Sequence, residues 1–164
     1  MAYLQRPQII LHNPASDGTL RGAASEMGIP AVTVEVGNPN RFQGEYIRKS
    51  VIGIRSVLVD WNMIRKRPVV LGPEPAICSK SIWMYTDRGG LLEVLPKVTD
   101  QVEEGDVVAH IVDPFGNPIA EYRAPFSGVV IGRAMDPVAA TGARILHLGK
   151  LADDPSAYVR RPDV

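Results

Sequence analysis

A single cysteine, Cys78, leaves no partner for an internal disulfide and fits a reducing compartment. Charge of either sign is not in excess. Lys+Arg and Asp+Glu are both 18, so no net field points to nucleic acid or an anionic membrane as partner. No apolar run approaches the roughly 18 residues that a membrane span needs, and no secretory signal opens the sequence. A cytoplasmic location is the resulting expectation. Histidine is scarce: only His12, His110 and His147 occur, and neither H-x-x-E nor H-E-x-x-H is present. There is no G-x-S-x-G elbow and no phosphate-cradling glycine loop. What remains is 45% apolar and 22% charged, a composition for burying a core, at a length for one domain or a partial domain plus a small one.

Up to about Lys66, strand and helix signals alternate. Residues 8–11 are a short apolar run. Asp17 is a good N-cap for a helix carrying Leu20, Ala23, Ala24 and Met27 at helical spacing, and Gly28 and Pro30 stop it. Residues 31–36 then alternate as a strand: Val32, Val34 and Val36 share one face, Ala31, Thr33 and Glu35 the other. Ligands of parallel α/β sheets gather at the carboxyl ends of strands. Glu35 stands at such an end, with Gly37 behind it to let a loop approach. Asn40 and Gln43 resemble a capping box opening a long helix. Its Ile47, Val51, Ile54, Leu58 and Trp61 repeat at 4-3-4-3 spacing, as for packing on a sheet. Arg65-Lys66-Arg67 suits a helix C-terminus better than a phosphate grip.

The divisions expected are an α/β portion at 1–68, a proline-rich linker at 69–76, a β module at 77–150 and a polar tail at 151–164. The β module reads as short runs at 82–85, 91–95, 107–112, 119–122, 129–131 and 145–148. It also repeats itself. Gly90-Leu91-Leu92 precedes Gly105 by 15 positions, Gly128-Val129-Val130 precedes Gly142 by 14, and His110 and His147 follow at equal offsets. Two copies of one unit imply a pseudo-twofold module, since neither copy buries its apolar face alone. The phrase Ala124-Pro125-Phe126-Ser127-Gly128-Val129-Val130 resembles the barrel-sandwich hybrid of lipoyl and biotinyl domains. The tip that carries the cofactor lysine there reads Asp113-Pro114-Phe115-Gly116-Asn117, and no lysine lies between Lys97 and Lys150. A swinging-arm carrier is opposed by that gap.

Candidate chemistry is sparse. His110 and His147 occupy equivalent places in the repeat and suit structural or surface roles. His12 ends a strand where ligands could collect, without an acidic partner at metal-ligand spacing. Cys78 lacks a motif for an activated thiolate. Arg21 sits in the first turns of the helix before the Glu35 strand, where a guanidinium can hold a carboxylate in two-point geometry or simply face solvent.

The run Gly18-Thr19-Leu20-Arg21-Gly22-Ala23-Ala24, then residues 28–37, GIPAVTVEVG, resembles the succinylglutamate desuccinylase/aspartoacylase family, in its C-terminal half only. Trp61-Asn62-Met63 and the appendage from Gly89-Gly90-Leu91-Leu92 fit as well. The resemblance implies part of a zinc-carboxypeptidase-like α/β mixed sheet with helices, followed by a small all-β barrel-sandwich-like domain. It implies a zinc-dependent hydrolase of N-acyl amino acids, with Glu35 as the catalytic acid–base and Arg21 binding the substrate carboxylate. This chain has no H-x-x-E, and His12 lacks the D-x-H setting of a third ligand, so no metal ligand is assigned here. The expectation is a chain inactive alone, pairing with a missing N-terminal half or self-associating over an uncovered apolar face. The competing expectation is a non-catalytic β module serving assembly or covering an active-site mouth.

Overall fold

The structure, a computed structural model, describes residues 1–14, 18–65 and 72–159. It is α/β and divides into two compact units, Met1–Ala76 and Ile77–Val164.

The first unit holds a 3-10 turn at Tyr3–Gln5, strand β1 (Ile9–Leu11) and helices α1 (Leu20–Glu26) and α2 (Gly44–Asp60). Helix α1 begins at Thr19, whose hydroxyl accepts from the backbone N–H of Gly22 at 3.0 Å. Asp17, the expected cap, lies outside the described residues. The helix stops as expected. Gly28 takes φ +71°, and the N–H groups of Gly28 and Ile29 donate to the carbonyls of Ser25 and Ala24. Those are the paired bonds of a Schellman ending.

Three expectations for this unit are corrected. Residues 31–36 form no strand ladder with any described residue. Alternation marks a segment fit for a sheet, but a strand exists only beside a neighbour that completes its hydrogen bonds. Asn40 does not open α2, which starts at Gly44. Gln43 instead turns its side-chain oxygen back to accept from Asn38 N–H at 2.7 Å. Finally, the stripe of α2 is not core: Ile47, Val51, Ile54 and Trp61 are each about half exposed. The one buried position is Gly53. A Cβ there would meet the Gln5 backbone oxygen at 3.0 Å, so only glycine lets the 3-10 turn come so close. Tyr46, Ser50 and Val57, on the Gly53 side, are half-buried. The helix is thus rolled one residue, about 100°, from the stripe's direction.

The second unit contains β2 (Ala76–Tyr85), β3 (Gly90–Val94), β4 (Gln101–Val102), β5 (Val107–Val112), β6 (Pro118–Arg123), β7 (Gly128–Arg133), β8 (Val138–Ala139) and β9 (Arg144–Leu151). Its strands form two antiparallel sheets rather than a closed barrel, ordered β2-β9-β7-β4 and β6-β5-β3-β8. The sequence repeat is visible in that order. Exchanging β3, β4, β5 and β6 for β7, β8, β9 and β2 turns one sheet into the other. Each sheet takes its short end strand from the opposite repeat. Gly105 and Gly142 take the same left-handed turn, at φ +89° and +82°. Both sheets feed one core, with Val108, Ile111, Val130, Ile145, Leu146 and Leu148 fully buried. The β5–β6 tip, where carriers place lysine, is pinned by Asp113, whose side chain accepts from Phe115 and Asn117 N–H at 2.8 Å each. Those hydrogen bonds, the one from the Asn117 side-chain amide first, hold the Asp113 carboxyl below its usual pKa.

Candidate functional site

Glu35 leads into a turn that is fixed by its successors. Gly37 adopts φ +62°, and a Cβ there would sit 2.3 Å from Gln43 Oε1. Glycine therefore leaves the space into which Gln43 reaches to hold Asn38. The carboxylate of Glu35 is exposed, and no ion pair or side-chain hydrogen bond joins it to another described residue. It is not locked in a buried pair, and it is open to an incoming group.

Arg21 lies half-buried on the first turn of α1, and its guanidinium bridges to the segment after β1. It donates to the carbonyl oxygens of Asn13 at 3.0 Å and Pro14 at 3.3 Å. A guanidinium carries five N–H donors in a planar fork, so these two bonds leave an edge for a carboxylate. A cavity of about 450 Å³ opens beside it, lined by His12, Arg21, Ser25, Pro30 and Val32 among others. The cavity brings together Arg21 and His12; Glu35 is not in its lining. The sequence offered little to link His12 to Arg21, because the connection runs through backbone carbonyls that carry no residue signature.

The other candidates take structural places. His147 stacks on Trp83 with ring centroids 4.4 Å apart, and its Nε2 is 2.7 Å from Ser81 Oγ. The Arg144 guanidinium also lies over Trp83 at 4.4 Å. His110 is half-buried, directly opposite Glu93 on β3 and Glu121 on β6. Cys78 is fully buried, and burial pushes its thiol up to about 11. Among the described residues no three His, Cys, Asp or Glu side chains converge in a way that could hold a metal ion. No helix among them is long and apolar enough to cross a membrane.

No family model matches the sequence, and no curated protein does. Solved structures do. A succinylglutamate desuccinylase from Silicibacter sp. TM1040 matches 91% of this chain and 47% of its own, with TM-score 0.77 and 25% identity. The ectoine utilization protein EutE (DoeB) from Ruegeria pomeroyi matches 90% and 48%, with TM-score 0.81 and 24% identity. A succinylglutamate desuccinylase/aspartoacylase from Rhodobacter sphaeroides matches 93% and 48%, with TM-score 0.79 and 19% identity. The chain spans about half the length of these relatives and shares the fold of that half.

Proposed function

We propose that this chain is the C-terminal portion of a zinc-dependent N-acyl amino-acid deacylase of the succinylglutamate desuccinylase/aspartoacylase type, at work in the cytoplasm. The observation that carries the proposal is the fold match to a succinylglutamate desuccinylase over 91% of the chain. Its all-β unit then corresponds to a barrel-sandwich-like module, for which the interleaved repeat of the two sheets is the support.

In this proposal Glu35 is the acid–base. It takes a proton from the attacking water as the new C–O bond forms, then delivers it to the amide nitrogen as the C–N bond breaks, releasing a carboxylate and an amine. Its exposure and lack of an ion pair with any described residue suit a group that must meet water and substrate. Arg21 binds the substrate carboxylate on the edge not used by Asn13 and Pro14. The metal does not fit this chain alone, because no described cluster could hold it. Its ligands belong to the half of the matched structures' length that this sequence does not cover, and this stretch taken alone binds zinc weakly and hydrolyses nothing at a useful rate. The competing assignment, a non-catalytic assembly module, draws support from the self-contained core of the β unit.

The test is to assay the chain with its complementary half against a panel of N-acyl amino acids, following release of the free amine. Hydrolysis that requires both halves supports the deacylase; a folded pair that releases no amine from any member favours the module.

A further inference from the structure

Arg21 is aimed before anything binds it. Its Nη1 donates to the Asn13 carbonyl at 3.0 Å and its Nη2 to the Pro14 carbonyl at 3.3 Å. Carbonyls of successive residues point to opposite sides of an extended strand. Both reach one planar fork here, so the peptide plane is rotated at Pro14. The pyrrolidine ring fixes φ there at about −65° and confines the residue before it, so a single residue limits the direction of both acceptors.

The Nε–H of Arg21 makes no hydrogen bond to a described residue. With one N–H of the neighbouring Nη it forms the second two-point edge of the fork. Arg21 lines the cavity of about 450 Å³, and among the described residues lining it there is no Asp or Glu to occupy that edge. Asn13 and Pro14 line the same cavity, so the clamp is part of its wall. An arginine side chain carries much rotamer freedom, which is lost when a ligand is held at two points. A fork already held by two main-chain oxygens has lost it before the ligand arrives. Carbonyl oxygens carry no net charge. They restrain the guanidinium without neutralising it, as a carboxylate partner would.

We infer that Pro14 is a positioning residue for Arg21: it fixes the two carbonyls that hold the guanidinium, so that the Nε edge is presented to a ligand carboxylate. This rests on the carboxylate role proposed for Arg21. Pro14 itself touches no reacting atom and acts only through the direction of the fork.

The test uses the full chain of 164 residues, isotope-labelled at arginine nitrogen and followed by NMR. Arg21→Lys identifies the Arg21 Nε–H resonance by removing it. N-acetylglycine is expected to shift that resonance saturably, and N-acetylglycinamide, which lacks the carboxylate, to leave it in place. Pro14→Ala frees the backbone and Pro14→Gly frees it further. The dissociation constant of N-acetylglycine should rise about threefold in the first and about tenfold in the second, with the backbone amides of α1 unmoved. Binding by Pro14→Gly as tight as the parent's overturns the inference and leaves the role of Arg21 standing. Loss of the α1 amide signals in both variants overturns it as well, since Pro14 would then hold the fold and not the fork. If N-acetylglycine leaves the parent's Arg21 Nε–H unmoved, the carboxylate role itself fails, and the inference with it.

Discussion

Thr86→Val is the most informative single change in the β unit. Thr86 is the one buried polar side chain found among the described residues, at 4% exposure. Its Oγ1 donates to Ala140 O at 2.7 Å and accepts from Ala143 N–H at 3.0 Å. Its backbone adds bonds to Ala143 O and from Gly142 N–H, so one residue clamps the end of β2 to the turn between β8 and β9. Valine keeps the branched shape and the backbone bonds and removes both side-chain bonds. Two ordinary bonds are worth about 1–3 kcal/mol together. The larger penalty for orphaned groups is avoided, because Ala143 N–H also donates to Ala140 O at 3.1 Å. The added methyl returns up to about 0.8 kcal/mol. The net expectation is a loss of about 1–2 kcal/mol. Urea unfolding followed by Trp83 fluorescence, in a Trp61→Phe background, reads the second unit alone. At a slope of about 1–2 kcal/mol/M the midpoint falls by roughly 0.5–2 M with the slope unchanged. A midpoint within error of the parent refutes the clamp.

Gly128→Ala is expected to cost more than about 3 kcal/mol, because its Cβ would stand 2.3 Å from the backbone oxygen of Gly149, which cannot move without opening β7 from β9. Gly149→Ala meets the side chains of Cys78 and Ile131 instead and should cost less; thermal unfolding of the two variants gives the order. Cys78 supplies a pH dependence. Its folded pKa, about 11, lies above the unfolded value, so its contribution is fully present below about pH 8.5 and is lost as pH rises towards 11. Denaturant titrations at pH 8 and 10.5 should show a fall that Cys78→Ala removes, and the native thiol should stay unreactive to disulfide reagents at pH 8.

The β unit was legible in the sequence because its strands bring their partners with them. The run expected at 107–112 is β5, and those at 91–95, 119–122, 129–131 and 145–148 fall on β3, β6, β7 and β9 to within three residues at either end. The two-residue strands β4 and β8 were missed, since two residues are too few for alternation to register. The first unit was legible only where signals are local. Gly28 stopped α1 through its left-handed backbone, as its position after Met27 implied. The strand at 31–36 and the packing of α2 depend on partners beyond the segment itself. For α2 periodicity marked the apolar stripe, whereas the more buried side is that of Gly53, one residue round the helix. Arg21 was singled out as a candidate from its helix position, but its grip on Asn13 and Pro14 passes through main-chain oxygens and left no trace in residue types.

The most direct measurement is kcat/KM for N-acyl amino-acid hydrolysis by the assembled pair, with Glu35 and with Glu35→Gln. The substitution keeps shape and removes only proton transfer, so a rate loss of about 10²–10⁴ with assembly intact is the predicted result. Equal rates in the two complexes would contradict the assignment of Glu35 and with it the chemistry proposed for this chain.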